Sequence, residues 1–322
     1  MTALAPLLPT ADLSAMVQRD STGELPAGIR PVRRPVAAGA RRAAFALVPQ
    51  RAVDVVHALD VDLPLGCGAL RVATVHDMSV FDTPWAHSRV RGSGERALLR
   101  SSIHRADVLL AVSEFTAERV HGLLGRDCVV TSLAPAPWAV PPSAAQVMAL
   151  RAKYGLPKRF LVQVGTVEPR KDVAMVAAVA RELDVPCVLA GAGSQGPNAP
   201  AGTIGLGYLD VADLPALYRA ATIVVYASRY EGFGLPPVEA MACGGAVVAS
   251  AVGALPQVVG DGAILVTTHT PAAWTRAVRP LLHDDALRQS LRRRAVTAAS
   301  RLSWRSTAAQ TIAAYRSAGV QT

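Results

Sequence analysis

Two hydrophobic periods alternate along this chain. Short runs of β-branched and other apolar residues are each followed by a longer stretch whose apolar positions recur every three to four residues. Buried strands that alternate with amphipathic helices are typical of a parallel sheet with crossover helices. In the first half the pattern predicts strands at 13–17, 53–57, 71–76, 107–112 and 129–133, and helices at 39–47, 93–104 and 114–124. The first half is therefore expected to be an α/β domain.

The alternation starts again after a proline-rich break at 135–143, where prolines remove backbone donors and interrupt helix and central strand alike. The second half predicts strands at 160–164, 187–190, 222–226 and 246–250, and helices at 144–154, 173–183, 214–220, 237–243, 271–282, 285–301 and 306–317. Single cores seldom exceed roughly 250–300 residues. The 322 residues therefore predict two Rossmann-like, doubly wound α/β domains at 1–155 and 156–302, with 303–322 as a C-terminal helix that crosses back to the first domain. In such proteins the ligand binds in a central cleft that the carboxyl ends of the strands face.

Composition narrows the class of protein. Hydrophobic residues make up 51% and charged residues 18%, so the chain has ample apolar surface for globular folding. The four cysteines form no CxxC pair, which argues against a zinc site and a disulfide framework and favours a reducing, cytoplasmic location. No apolar run approaches the ~18 residues that a membrane span requires.

The formal net charge of +9 points to partners that carry phosphate. Arginines cluster twice, at Arg30, Arg33, Arg34, Arg41 and Arg42 and at Arg292, Arg293 and Arg294. Such clusters are commonly solvated faces, and they also suit a peripheral contact with anionic lipid at the inner face of a membrane. A nucleic-acid binder is the alternative that the charge alone suggests, but no nucleic-acid-binding motif accompanies it, and no nucleic-acid partner is expected.

The stretch EGFGLPPVE at 231–239 carries the strongest chemical signal. A strand, a glycine-containing loop and a helix start form an anion site, because backbone N–H groups and the helix dipole both favour phosphate. Gly232 and Gly234 allow close backbone approach to a ligand. Glu231 can accept hydrogen bonds from sugar hydroxyls, and Glu239 from a ribose diol. The alternative is a pair of surface glutamates, which the apolar loop between them makes a poor fit.

The chain resembles glycosyltransferase family 4, whose signature is an E-x7-E motif in this setting. The resemblance extends to the segments VHDMSVFDTP at 75–84, ADVLLAVSEFTAERV at 106–120, VGTVEPRKD at 164–172, GYLDVADLPALYRAA at 207–221, VGALPQVVGDGAILV at 252–266 and LSWRSTAAQTIAAYR at 302–316. It implies a GT-B fold and retaining, mannosyltransferase-like sugar transfer from a nucleoside-diphosphate sugar. The acceptor is expected to be a glycan or a lipid-linked glycan. GDP-mannose is favoured over a UDP-sugar.

The resemblance also implies which residues act. Arg170 and Lys171 would stabilise the departing diphosphate, as preorganised cations lower the barrier to its departure, although an Arg-Lys pair in a turn is often there for solubility alone. His76, at the end of a predicted strand, would position the sugar or stabilise the transition state, whereas a lone histidine is commonly structural. With Glu231 these three form the expected catalytic set. The expected donor-binding residues are Gly165, Arg170, Lys171, Gly191, Tyr208, Glu231, Gly232, Phe233, Gly234, Leu235 and Glu239.

Several features have plainer interpretations. Gly191 and Gly193 suit an ordinary turn after a strand, and Ser113 suits the N-cap of the helix at 114–124. The Asp-x-Asp sequence at Asp60 to Asp62 resembles the metal motif of the other glycosyltransferase fold, but family 4 has no metal ligand there. We therefore expect neither a metal nor any other cofactor besides the nucleotide-sugar co-substrate.

One part of the family pattern is missing at the start of the chain. Members open with a strand and a glycine-rich turn, whereas this sequence begins inside the helix that follows, at 1–8. The first strand of the N-terminal domain is thus expected to be absent. The alternative function that this suggests is a catalytically inactive nucleotide-sugar-binding protein.

Overall fold

The computed structural model describes residues 2–18, 25–26, 28–34, 53–59, 63–66 and 68–320. The described strands are β1 (Ser14–Gln18), β2 (Arg30–Arg34), β3 (Val55–Ala58), β4 (Leu70–Val75), β5 (Val108–Ala111), β6 (Val129–Val130), β7 (Leu161–Val164), β8 (Cys187–Ala190), β9 (Thr203–Gly205), β10 (Ile223–Tyr226), β11 (Val247–Ser250) and β12 (Ile264–Val266). The described α-helices are α1 (Ser79–Asp82), α2 (Arg89–Arg105), α3 (Glu114–Leu124), α4 (Ala144–Tyr154), α5 (Val173–Glu182), α6 (Leu214–Ala220), α7 (Leu235–Ala242), α8 (Leu255–Val259), α9 (Pro271–His283), α10 (Asp285–Ala299) and α11 (Trp304–Ser317). The helix expected at 39–47 lies outside the described residues.

The chain divides into two compact units. The first contains residues 1–78, 89–132 and 304–322, and the second contains 79–88 and 133–303. The boundary expected after residue 155 thus lies later than the change of unit after Ser132. The reason is that α4 packs on the second unit, where Leu150 shares a core with Phe160 and Leu217. The terminal helix α11 belongs to the first unit.

In the first unit, β3 to β6 form a four-stranded parallel sheet in chain order, and β1 pairs in parallel with β2. Ser113 is the N-cap of α3, where its side chain accepts a hydrogen bond from the Thr116 N–H at 3.1 Å, which confirms the predicted cap. The helix expected at 1–8 is wrong. Only a single 3-10 turn, Ala5–Leu7, forms there, with Pro6 inside it and Pro9 two residues after it, because proline cannot extend an intrahelical hydrogen-bond ladder.

A half-buried histidine joins the sheet of the first unit to α11. The Nδ1 atom of His57 lies 2.6 Å from the Tyr315 hydroxyl, and its Nε2 atom lies 2.7 Å from Thr74 Oγ1. Burial, followed by nearby positive charge, lowers the pKa of His57 to about 4. The imidazole is therefore neutral at pH 7, and its two nitrogens both have hydrogen-bond partners.

The second unit is a six-stranded parallel sheet in the order β12-β11-β10-β7-β8-β9. From β7 the chain proceeds outward through β8 and β9, and then returns to the other side of β7 with β10 and proceeds through β11 and β12. This is the Rossmann order, in which strand succession reverses beside the first strand. Both faces are buried, with Val162 and Val224 on one and Leu161 and Ile223 on the other. The near-continuous apolar strands found by sequence reasoning are thus those of a doubly wound sheet.

One arginine cluster is only partly solvated. Arg292 donates a hydrogen bond to the carbonyl of Ala221, one residue beyond α6, at 2.9 Å. It donates another to the carbonyl of Arg219, within the last turn of α6, at 3.4 Å. Burial, the largest cause, and nearby arginines lower the pKa of Arg292 to about 10. Its neighbours Arg293 and Arg294 are exposed. The Arg292 side chain therefore binds the negative end of a helix rather than an external partner.

Candidate active site

The candidate site lies in the second unit, where the strand order reverses. β7 and β10 are hydrogen-bonded neighbours, with Leu161 opposite Ile223 and Val162 opposite Val224. Because the two strands are parallel, the loops that follow them leave the same edge of the sheet. Ligands of open α/β sheets bind at this reversal, outside the carboxyl ends of the strands. The two loops contain Arg170 and Lys171 on one side and Glu231 on the other.

The loop after β7 is packed closely against the loop after β8. The N–H of Gly165 donates to the Ala190 carbonyl at 2.8 Å, and the N–H of Gly191 donates to the Gly207 carbonyl at 2.7 Å. A Cβ at Gly191 would lie under 3.0 Å from the backbone oxygen of Gly165, and the φ of Gly191 is +122°. Both features require glycine there. The predicted residues Gly165 and Gly191 therefore meet at this edge, for a reason that does not depend on a ligand.

A short 3-10 turn, Pro169–Lys171, presents the two cations. Lys171 Nζ lies 2.5 Å from Glu231 Oε1, and Arg170 Nη1 lies 3.8 Å from Glu231 Oε2. Arg170 also contacts Glu168 Oε1 at 3.0 Å and the Tyr230 carbonyl at 3.2 Å. The structure thus brings together the two cations and the carboxylate that the sequence singled out.

Glu231 is held on several sides within this arrangement. Its carboxylate accepts a hydrogen bond from the buried Ser228 hydroxyl at 2.7 Å, and its carbonyl accepts one from the Ala254 N–H at 3.0 Å. Its side chain is 7% exposed, so the charge of Glu231 requires partners, and Lys171 and Ser228 supply them. Fixed charges in a site with little water act strongly on a charged ligand, because they need little reorganisation when it binds.

The helix after the glycine loop starts earlier than predicted. α7 begins at Leu235 instead of Pro237, and Gly234 is its N-cap with a φ of +93°. Pro236 and Pro237 then occupy the first turn, where proline is tolerated because the N–H groups of that turn have no intrahelical partner. Since these two positions carry no N–H, the helix start offers fewer donors to an anion than the sequence argument assumed. Phe233 is 4% exposed, so its ring belongs to the core.

Glu239 lies on α7, one turn inside the helix, and is half-buried. Burial raises its pKa to about 7, against the opposing effect of a hydrogen bond from the backbone of Ala136. A carboxyl group whose pKa lies near the working pH is a common feature of functional sites, although structural burial produces it as well. Glu239 is thus only partly ionised at pH 7.

Two other predicted residues are on different elements. His76 is exposed at the end of β4 in the first unit, where its Nε2 atom lies 2.8 Å from the Leu59 carbonyl. Tyr208 follows Gly207 after β9 and is 87% exposed. Their roles stay predictions.

Sequence reasoning missed the side chains that hold the two loops. Asp172, Arg229 and His269 form one cluster, and Ser228 binds Glu231. Asp172 carried a signal, since an aspartate directly before an apolar helix is a common N-cap. His269 carried none, because 97 residues separate it from Asp172.

No group of three or more His, Cys, Asp and Glu side chains among the described residues is arranged to hold a metal ion. The aspartates at 60 and 62 lie outside the described residues. Cys128, Cys187 and Cys243 are free thiols, and burial raises the pKa of each.

The reversal of strand order and the charged loops beside it are typical of a Rossmann-type ligand site. The family described as glycosyl transferases group 1 matches residues 148–298. O-antigen chain mannosyltransferase B of Escherichia coli is 33% identical over 265 residues, which cover 76% of this chain and 70% of that protein. The chain therefore belongs to the group 1 glycosyltransferases, as the resemblance to glycosyltransferase family 4 implied, and it is a glycosyltransferase enzyme.

Other proteins resemble this chain in sequence over part of their length or in fold. Serotype-specific mannosyltransferase WbdA of Escherichia coli is 32% identical over 232 residues, 65% of this chain, and the match covers 28% of that longer protein. Sucrose-phosphate synthase from Thermosynechococcus elongatus has a TM-score of 0.78 at 19% identity and covers 98% of this chain and 91% of its own. Anabaena HepE, in complex with UDP and glucose, has a TM-score of 0.68 at 20% identity over 90% of this chain and 86% of its own. These likenesses confirm the GT-B fold.

Proposed function

We propose that this protein transfers a sugar, mannose in preference to others, from a nucleoside-diphosphate sugar to a glycan or lipid-linked acceptor, with retention of anomeric configuration. The observation that carries the proposal is the cluster of Arg170, Lys171 and Glu231 at the reversal of strand order. The relatives named as mannosyltransferases favour mannose, and with it GDP-mannose over a UDP-sugar. HepE, which has the same fold, was solved with UDP and glucose and supports a nucleotide-linked donor.

The chemistry of the transfer explains the need for these charges. When the bond between the anomeric carbon and the diphosphate oxygen breaks, the electron pair leaves with the diphosphate. The acceptor hydroxyl forms the new bond to that carbon, and its proton passes to the departing diphosphate. Arg170 and Lys171 would stabilise the growing charge on the leaving group, since preorganised cations are more effective than water at this task. This role suits two side chains that are each less than a fifth exposed.

The remaining roles complete the proposed donor site. Glu231 would accept hydrogen bonds from the donor sugar, while Gly232, Phe233, Gly234 and Leu235 form the loop that follows the diphosphate. Glu239 would bind the ribose diol when ionised, and Gly165, Gly191 and Tyr208 would line the rest of the donor. His76 would position the sugar. In every case the support is the family resemblance together with the location or conformation described above.

We also propose that the reaction needs no metal, because the two cations can supply the charge that a divalent ion would otherwise provide. The location we propose is cytoplasmic, with peripheral contact to anionic lipid through the exposed residues Arg30 and Arg33. None of the helices in the described ranges combines the length and apolar character that crossing a bilayer requires. Co-sedimentation with anionic liposomes at low salt tests the lipid contact, and no binding there would contradict it.

A transfer assay tests the function. Purified protein is given GDP-mannose or UDP-glucose with an oligosaccharide or lipid-linked acceptor, and the product's anomeric configuration is determined by NMR. Glu231→Gln keeps the size of the side chain and removes its charge, so we expect transfer to fall by about 100-fold or more. Glu182→Gln, at an exposed position on α5, is the matched control. Equal transfer by Glu231→Gln and wild type, an inverted product, or loss of transfer on adding EDTA would each contradict the corresponding part of the proposal.

A further inference from the structure

One carboxylate joins three separate loops at the carboxyl edge of the second sheet. Asp172 ends the turn after β7, Arg229 lies in the loop after β10, and His269 follows β12. Asp172 Oδ2 is 2.9 Å from Arg229 Nε and 2.8 Å from His269 Nε2. Its other oxygen, Oδ1, accepts from the Met175 N–H at 3.2 Å and so caps α5. Segments separated by 57 and 97 residues are therefore fixed to the same side chain.

The backbone at Asp172 has an uncommon conformation. Its φ is +43°, in the left-handed region that side chains other than glycine seldom adopt, though aspartate tolerates it better than most. This residue ends the 3-10 turn that contains Arg170 and Lys171 and is the N-cap of α5. Its conformation therefore sets the direction of the turn relative to α5. The contacts of the carboxylate hold a backbone geometry that would otherwise be unfavourable.

Two of the three side chains in the Asp172 cluster are largely shielded from water. The side chain of Asp172 is 14% exposed and that of His269 is 23% exposed, while Arg229 is half exposed. Burial acts to raise the pKa of Asp172, but the hydrogen bonds from His269 and Arg229 and the charge of Arg229 outweigh it, and its pKa lies below the ordinary value. Asp172 is therefore a charged group at neutral pH whose partners come from the loops it joins.

Backbone contacts extend this connection to the proposed donor-binding residues. The N–H of Arg229 donates to the Arg170 carbonyl at 2.8 Å, and the side-chain amide of Gln163 donates to the Lys171 carbonyl at 3.1 Å. Arg229 is also two residues before Glu231. The distance between Lys171 and Glu231 thus depends on how the two loops are held.

We propose that Asp172, together with Arg229 and His269, is a positioning unit that keeps the Arg170–Lys171 turn in register with Glu231 for sugar transfer. None of the three is assigned contact with the substrate. The inference rests on the proposed function. The position of the turn relative to Glu231 matters because Arg170 and Lys171 must both reach the diphosphate of the nucleotide sugar. His269, from the loop after β12, is the member furthest in sequence from the chemistry.

Two substitutions of His269 separate positioning from general stability. His269→Ala removes the donor to Asp172, whereas His269→Gln supplies an amide donor of similar reach. Because small displacements of aligned groups are costly, we expect His269→Ala to lower kcat by about 10- to 100-fold with a donor KM within about threefold of wild type. We expect His269→Gln to regain most of the rate. Asp172→Asn, which keeps a cap for α5 and tolerates positive φ, should resemble His269→Ala.

Asp184→Asn is the matched control, since Asp184 is also an aspartate at positive φ, at the other end of α5, and is exposed. It should leave kcat unchanged. Amide hydrogen exchange gives a second readout: in His269→Ala, segments 165–172 and 227–234 should exchange faster while β8 does not change. The inference is overturned if kcat or exchange in these segments stays at the wild-type value, or if His269→Gln is as impaired as His269→Ala. If the wild-type protein transfers no sugar, the proposed function fails, and hydrogen exchange alone decides whether Asp172 joins the loops.

Discussion

Glu239 should make the protein less stable as pH rises, and its amide variant should not. The pKa of Glu239 is raised from 4.5 to about 7 by burial, so the folded state binds its proton more tightly than the unfolded state does. Unfolding between these two pH values therefore releases a proton. By linkage, the contribution of Glu239 to the free energy of unfolding falls as pH rises from 4.5 to about 7 and is level above that. Glu239→Gln removes this dependence.

The size of the effect follows from the same shift. At about 1.4 kcal/mol for each pKa unit, the ionised carboxylate destabilises the folded state by at most about 3 kcal/mol. Because Glu239 is only half-buried, solvent screening reduces this to roughly 1–2 kcal/mol. For a unit of this size, about 1 kcal/mol shifts Tm by roughly 2–4 °C. Glu239→Gln should thus melt at the wild-type temperature near pH 5 and roughly 3–6 °C higher at pH 8.

Differential scanning calorimetry at pH 5, 6, 7 and 8 measures this difference, and the contributions of all other titrating groups cancel between variant and wild type. Glu182→Gln, at an exposed position on the same unit, controls for removal of one negative charge. A difference in Tm that does not grow between pH 5 and pH 8, or one that Glu182→Gln reproduces, would show that burial does not raise the pKa of Glu239. If the ribose diol of the nucleotide sugar binds ionised Glu239, the nucleotide sugar should bind Glu239→Gln more weakly. The variant should therefore gain stability and lose affinity for the nucleotide sugar.

Two further changes test the packing. Gly191→Ala places a Cβ under 3.0 Å from Gly165 and forces a positive φ on alanine. In a urea titration we expect it to lower the free energy of unfolding by about 2–4 kcal/mol. Gly202→Ala, at positive φ but in open space, is the control and should lower it by only about 1 kcal/mol. Tyr315→Phe leaves the neutral, half-buried His57 without one partner and should destabilise the first unit by about 1–2 kcal/mol. A Tyr315→Phe variant that unfolds at the wild-type urea concentration would show that this hydrogen bond contributes nothing.

The strands of the second unit were predictable because they are buried on both faces. Runs such as Cys187–Ala190 and Ile223–Tyr226 are continuously apolar, and Pro186 and Gly191 mark the ends of the first. The edge strands were not predictable. Thr203–Gly205 and Ile264–Val266 have three residues each, too few for a period to register. Arg30, Arg33 and Arg34 were interpreted only as a charge cluster, because their charges hide the alternation that predicts a strand. In the structure they belong to the strand Arg30–Arg34, which pairs in parallel with Ser14–Gln18.

Some residues of the candidate site could likewise be predicted from the sequence and others could not. Glu231 could be found from the strand, glycine loop and helix start around it, whereas Arg170 and Lys171 needed the family resemblance as well as their position in a turn after a strand. The start of α7 was misplaced because Pro237 was taken as its first residue, although Pro236 and Pro237 both fit within the first turn. His269 and its contact with Asp172 depend on the order of strands in the sheet, which no local pattern encodes.

We propose that Lys171 and Arg170 face the diphosphate of a bound nucleotide at the reversal of strand order. Isothermal titration calorimetry of wild type, Lys171→Ala and the exposed control Lys158→Ala with GDP and with UDP tests it most directly. Loss of one charge-assisted hydrogen bond should weaken binding of the preferred nucleotide about 10- to 100-fold in Lys171→Ala, with Lys158→Ala unchanged. Equal affinity of wild type and a folded Lys171→Ala, or no binding of either nucleotide to wild type, would contradict the account.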